Sequence, residues 1–150
     1  MISRAKMSGT MAKPKRRDLF QLMGAGALAS LAIPARAGKL SDMTKLPEAT
    51  RTSQEDFGDV HVYFDGPTDQ LKSMTAGSLK LNAGREPHPP HQHPEEEIMV
   101  VTEGSGEIVV DGKVTQVGSG SMMYCAGNKL HGIRNTGKAP LLFYYFKWKA

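Results

Sequence analysis

The chain concentrates metal-binding residue types in one short segment, residues 86–97, which reads EPHPPHQHPEEE. The segment holds three of the five histidines of the chain and ends in three consecutive glutamates. Side chains two positions apart in an extended chain point to the same side, so His91 and His93 should project together. The neighbouring prolines favour extended backbone and disfavour a helix. The pattern therefore predicts two imidazoles that reach one ion.

A metal ion needs more ligands than this pair. By distance along the chain Glu95, Glu96 and Glu97 are all candidates for a carboxylate ligand. We expect Glu97, because it opens the apolar run IMVV and can be held by a packed strand, and we also assign it the catalytic role. Glu95 and Glu96 should face solvent or the rim. His131, in a later predicted strand, is the natural choice for the fourth ligand.

The elements that must position these residues are short strands. Turn signals rich in glycine, asparagine and aspartate separate runs of β-branched and aromatic residues, which is typical of a β-sandwich or barrel. Asp111-Gly112 between two such runs is a strong two-residue hairpin signal. The predicted strands cover residues 60–64, 78–81, 97–102, 107–110, 113–117, 121–125, 130–135 and 141–148.

Two segments of the chain resemble the paired motifs of the cupin superfamily. In the first segment, residues 84–104, the matching positions are His91, His93, Glu97 and Gly104, and Gly84 lies one residue further away than usual. In the second, residues 120–135, they are Gly120, His131 and Asn135. Ala126 and Asn128 replace the proline and glycine that are common there, which affects a turn and not a ligand.

The resemblance implies an all-β fold, a single antiparallel jelly-roll barrel over residues 57–150. His91, His93, Glu97 and His131 would bind one divalent metal ion inside it. Three nitrogens and one carboxylate leave open positions on the ion and suit Fe(II) or Mn(II), which we favour, while Zn(II), Ni(II), Co(II) and Cu(II) are alternatives.

Three functions are compatible with such a site, and its ligand in each is a small molecule. The first is a metal-dependent oxygenase acting on a small polar or phenolic molecule. The second is a non-redox isomerase or lyase acting on a sugar-acid-like metabolite, and the third is a binding module without turnover. The open ligand set favours an enzyme. Trp148 and the apolar last strand indicate a homodimer, which resembles many cupins.

Residues 1–37 are predicted to be an export signal. A basic stretch, KPKRR, precedes a short apolar run at residues 19–33, which is too short and glycine-rich to span a bilayer, and Ala35-Arg36-Ala37 fits a cleavage site after Ala37. The pair Arg16-Arg17 before the apolar run resembles a twin-arginine signal, with an ordinary secretion signal as the alternative. The prediction is therefore a periplasmic protein. The candidate start residues are Met1, Met7 and Met11.

Removal of this segment changes the charge of the chain. The whole sequence has 19 Lys and Arg against 15 Asp and Glu, a net charge of +4. Seven of these basic residues and one acidic residue lie in residues 1–37, which leaves 12 against 14, a net charge of −2. The remainder carries no basic patch with interleaved aromatics, so a nucleic-acid partner is not expected. Residues 38–56 are polar and predict an extended arm. Cys125 is the only cysteine, which excludes an intramolecular disulfide.

Overall fold

The computed structural model describes residues 38–150, and the predicted export signal, residues 1–37, lies outside them. A 3₁₀ turn, Pro47–Ala49, precedes nine strands. Their bounds are β1 Arg51–Glu55, β2 Gly58–Gly66, β3 Ser73–Leu81, β4 Glu96–Glu103, β5 Ser105–Val110, β6 Lys113–Gly118, β7 Met122–Cys125, β8 His131–Arg134 and β9 Leu141–Lys149. Within this part of the chain no helix is long and apolar enough to cross a membrane.

The strands form two antiparallel sheets. Six strands pair in the order β1-β2-β3-β9-β4-β7, and three pair in the order β6-β5-β8. The last strand thus lies in the middle of the larger sheet, between β3 and β4, which is a non-sequential arrangement. The prediction of an all-β jelly-roll fold is confirmed. Strand β1 lies in the segment predicted as an arm and adds to the edge of the sheet beside β2.

Alternation along each strand decides which side chains face the core. In β9, Leu141 and Phe143 are buried, whereas Phe146 is 41% exposed on the other face. The core joins both sheets, because buried side chains of β5 and β8 pack in one cluster with those of the larger sheet. Its buried members are Leu79, Leu81, Met99, Val101, Ile108, Met123, Cys125, Ile133, Leu141 and Phe143.

The β5–β6 hairpin forms where the sequence predicts it. Val110 and Lys113 are the last paired residues, so Asp111 and Gly112 make a two-residue turn. Both have positive φ, 48° at Asp111 and 80° at Gly112. A type I′ turn requires this conformation at both central residues, which explains the Asp-Gly pair.

Candidate metal centre

The histidine-rich loop is fastened to β8 by its backbone. His91 and His131 exchange two backbone hydrogen bonds, each 2.9 Å long, and form an isolated bridge outside the main ladders. The backbone N–H of Asn128, in the turn before β8, donates to the carbonyl of His93 at 2.7 Å. The two sequence segments that resemble paired motifs are thus joined directly. Asn128 has a φ of 61°, a conformation that asparagine tolerates better than most residues.

Two imidazoles are oriented by backbone carbonyls and aimed at one carboxylate. Nδ1 of His93 lies 3.1 Å from the carbonyl oxygen of Glu95, and Nδ1 of His131 lies 2.8 Å from that of Lys129. A carbonyl only accepts, so each Nδ1 carries the proton. Nε2 of both rings lies 2.9 Å from the same atom, Oε2 of Glu97. Glu97 is 4% exposed and its Oε2 therefore lies in a buried position between two rings.

His91 completes a cluster of three imidazoles. His91, His93 and His131 each contribute one ring nitrogen to a group of three, and these nitrogens all lie within 4.8 Å of one another. Nδ1 of His91 is buried and has no hydrogen-bond partner within residues 38–150. A buried polar atom without a partner is rare in folded proteins, and such an atom often belongs to a site that binds an ion. His88 stacks edge-on against His91 with 3.9 Å between ring centroids.

The protonation states follow from burial and from the pairing with Glu97. Burial lowers the pKa of His91 to about 4, assisted by repulsion from His88, His131 and His93. Burial alone would raise the pKa of Glu97, but hydrogen bonds with His131 and His93 outweigh it and lower the pKa to about 2. The hydrogen bond with Glu97 raises the pKa of His131, against burial and the positive charge of Lys147. The cluster therefore holds a carboxylate and at least one neutral imidazole at neutral pH.

These residues fit a divalent metal ion. With Nδ1 protonated, a neutral His93 or His131 presents the Nε2 lone pair to a carboxylate oxygen, which is repulsive unless a proton or a cation lies between them. A histidine that binds a metal through one ring nitrogen usually donates a hydrogen bond from the other nitrogen to a group such as a backbone carbonyl. Imidazole nitrogens and a carboxylate are also ligands that first-row transition metals accept. The donor set and the unpartnered Nδ1 of His91 both support an ion in this cluster.

The other predicted residues lie outside the cluster or beside it. Glu96 is exposed and accepts a bond from Tyr124 at 3.4 Å. Glu95 lies at the rim, with Oε2 3.3 Å from Nδ1 of His93. His61 contacts Thr50, with 2.9 Å from Nδ1 to the hydroxyl. Cys125 is buried in the core and pairs with Glu97 on the neighbouring strand.

Asn135 anchors the end of the second motif. Its side chain is fully buried, and its amide donates to the carbonyls of Leu81 at 3.0 Å and of Ala139 at 2.9 Å. Its side-chain oxygen accepts from the N–H of Gly137 at 2.9 Å. The residue therefore fixes the loop after β8, and none of these three hydrogen bonds is to a residue of the imidazole cluster.

Sequence analysis did not single out two residues of β9 that face inward next to the cluster. Lys147 pairs with Glu97 on one side and with Thr75 on the other. Tyr145 pairs with Gly77 and Met99, and a methyl group at Gly77 would overlap its hydroxyl. Burial, with the charges of Glu97 and Asp65, raises the pKa of Tyr145 to about 12, so the phenol stays protonated.

The inward direction of both residues could have been predicted from the alternation of side chains along β9. Lys147 and Tyr145 are in phase with the buried Leu141 and Phe143, and strand alternation puts all four on one face. The exposed aromatic residue of the last strand, Phe146, lies on the opposite face.

Comparison with known proteins agrees with this architecture. Residues 77–146 match the Cupin_2 family model, described as a cupin domain. Nothing among the curated proteins matches the chain.

Solved structures match over most of the chain. An RmlC-like cupin from Shewanella frigidimarina is 18% identical with a TM-score of 0.60, and the match covers 73% of this chain and 93% of that cupin. KdgF from Halomonas sp. is 17% identical with a TM-score of 0.61, and the match covers 73% of this chain and 96% of KdgF. A predicted oxalate decarboxylase from Thermotoga maritima is 19% identical with a TM-score of 0.59, covering 72% and 100%. Identities this low establish a common fold and nothing about the reaction.

Proposed function

We propose that the cupin domain carried by residues 77–146 binds one divalent metal ion through His91, His93, Glu97 and His131, and that the protein is a metal-dependent enzyme. One observation carries this proposal: two rings with carbonyl-fixed Nδ1 atoms place their Nε2 atoms 2.9 Å from a single oxygen of Glu97. Each contact requires a proton or a cation between the Nε2 lone pair and the carboxylate oxygen, and a divalent ion bound to both rings and to Glu97 would meet this requirement. Fe(II) and Mn(II) are the favoured ions.

The reaction we favour is of the oxygenase type, on a small polar or phenolic molecule. A bound ion with open positions would supply Lewis-acid or redox chemistry to a coordinated substrate. The chain would contribute the orientation of the ligands: the bridge between His91 and His131 holds the loop, and the carbonyls of Glu95 and Lys129 hold the rings. Glu97 would compensate the charge of the ion from its buried position.

Metal content tests the first part of the proposal. The full chain is expressed with Fe(II) or Mn(II) in the medium, purified without chelator and analysed for bound metal. We expect about one ion per chain, because residues 38–150 hold one group of three histidines that could bind a metal, and a sharp loss in His131→Ala. His61→Ala is the matched control, because His61 contacts Thr50 and no residue of the cluster. Equal metal content in both variants would contradict the assignment.

Oxygen consumption tests the second part. The Fe(II)-loaded protein is supplied with a panel of small phenols and hydroxy acids in an oxygen electrode. Substrate-dependent uptake that disappears in His131→Ala supports an oxygenase. Product formed under nitrogen with Mn(II) would instead establish non-redox chemistry.

A non-redox isomerase or lyase on a sugar-acid-like metabolite is the second candidate. The specific observation in its favour is Tyr145, an inward phenol that burial keeps protonated, with a pKa of about 12, so that it can donate a hydrogen bond. Ligand-induced thermal stabilisation without product would point to a binding module.

A further inference from the structure

Lys147 extends from the inward face of the larger sheet beside the proposed metal site. It lies in β9, in phase with the buried Leu141 and Phe143, and is itself only partly exposed. Its direct neighbour across the ladder is Glu97, which is buried. Residues opposite each other on one face of an antiparallel pair have Cβ atoms about 5 Å apart. The lysine side chain therefore leaves the sheet next to the carboxylate that we assign as a ligand.

The carboxylates near Lys147 are engaged with other groups. Glu97 is hydrogen-bonded to His93 and His131. Asp65, one strand beyond Thr75 in the same row, accepts from Thr75 at 3.2 Å and lies 3.4 Å from the guanidinium of Arg51. Within residues 38–150 the ammonium group of Lys147 makes no ion pair. A partly buried cation without a partner is unfavourable, and it is more so next to a site that binds a second cation.

Charge balance then indicates which kind of ligand the site favours. A divalent ion and Lys147 together carry more positive charge than the carboxylates of Glu97 and, at the rim, of Glu95 offset. An anion that touches both cations removes this imbalance. Its negative group would bind the ion through an oxygen and accept a charge-assisted hydrogen bond from the ammonium, which is among the stronger hydrogen bonds in proteins.

We propose that Lys147 determines specificity for a small substrate that carries a carboxylate, bound between the metal ion and the lysine. The inference rests on the proposed metal site and narrows its substrates to organic acids.

The test compares two ligands of the same shape and different charge. The Mn(II)-loaded full chain is titrated with glycolate and with its neutral amide, glycolamide, at low ionic strength, and binding is followed by calorimetry and by water-proton relaxation of the Mn(II). We expect the parent to prefer glycolate by about tenfold or more. Lys147→Met should weaken glycolate binding by roughly 10- to 100-fold, the effect of removing one charged hydrogen bond, and leave glycolamide unchanged.

Two further variants control for charge and for folding. Lys147→Arg keeps the positive charge, and its affinity for glycolate should stay within about threefold of that of the parent. Lys80→Met makes the same change at an exposed position on the outer face of β3, between the inward Leu79 and Leu81, and should have no effect on either ligand. Mn(II) content is measured for every protein, and Lys147→Met should keep it, because Lys147 is not a ligand and repels the ion.

The outcomes separate this inference from the proposal on which it rests. A metal-loaded Lys147→Met variant that binds glycolate as tightly as the parent overturns the role of Lys147 and leaves the metal site intact. A parent protein that binds glycolate and glycolamide equally overturns that role as well. A parent protein that retains no Mn(II) refutes the metal site and the inference together.

Discussion

Replacing Glu97 by glutamine is the most informative single change, because it removes the charge and keeps the shape. Glu97 is 4% exposed, and its pKa falls to about 2 from an ordinary value of 4.5. A shift of this size corresponds to about 3 kcal/mol between the ionised and the neutral side chain. In the metal-free protein at neutral pH we therefore expect Glu97→Gln to reduce the free energy of unfolding by about 2–3 kcal/mol.

The pH dependence gives the sign of this effect independently. A carboxyl with a lowered pKa in the folded protein stabilises it above the unfolded pKa, and the stabilisation disappears as the pH falls through the folded pKa. The difference in free energy of unfolding between the parent and Glu97→Gln should thus disappear as the pH falls from about 4.5 to about 2. Urea titrations with EDTA at several pH values measure this difference. Adding Mn(II) at pH 7 should stabilise the parent far more than the variant, since binding to the folded state alone raises stability.

Glu96→Gln is the matched control for the same assay. It makes the identical chemical change one residue away, on an exposed side chain that accepts a bond from Tyr124 at 3.4 Å. We expect a change within about 0.5 kcal/mol and full stabilisation by Mn(II). If the two variants lose stability and Mn(II) response to the same extent, the assignment of Glu97 as the ligand is wrong.

Three further predictions concern other parts of the chain. Asn135→Ala should lower the free energy of unfolding by about 2–4 kcal/mol in urea titrations, because it removes the donor to the buried carbonyl of Leu81 and to the partly buried carbonyl of Ala139. Phe146→Glu should convert the expected homodimer to a monomer in light scattering, because Phe146 is 41% exposed on the outer face of β9; an unchanged mass would place the interface elsewhere. The double change Arg16→Lys, Arg17→Lys should block export to the periplasm, as measured by fractionation, and normal export of this variant would contradict the twin-arginine interpretation.

The convergence of His91 and His93 was predictable because its signals are local. The spacing of His91 and His93 and the prolines around them point to a shared direction without knowledge of the fold. The strand pattern and the Asp111-Gly112 turn predict antiparallel structure for the same reason, and the predicted strands recur in the larger and smaller sheets. The choice of Glu97 over its neighbours also came from a local feature, the apolar run that follows it, and Glu97 is the glutamate that lies against His93 and His131.

Lys147 was not predictable in the same way. Its importance depends on the pairing of β9 with β4, two strands that are separated by four others in the sequence. Nothing local indicates that residue 147 lies opposite residue 97, because the register of non-sequential strands is set by packing of the whole core. Alternation does predict the face on which Lys147 lies, but a charged residue at a strand end usually faces solvent. The pairing is what turns an ordinary lysine into a candidate ligand contact.

The arrangement of the ligands explains why metal binding and folding should be linked in this protein. Glu97 belongs to β4 of the larger sheet, His131 to β8 of the smaller sheet, and His91 and His93 to the loop between β3 and β4. An ion bound to all four residues would connect both sheets with the loop that is bonded to β8. Without the ion, the same contacts bring three imidazoles and a carboxylate together in a buried space, which the fold tolerates only through hydrogen bonds from His93 and His131 to Glu97. The ion would replace these bonds by stronger ones and would give a ring nitrogen of His91 a partner. The stabilisation by metal should therefore extend to both sheets, because no ligand can separate from the ion without parting one sheet from the other or releasing the loop.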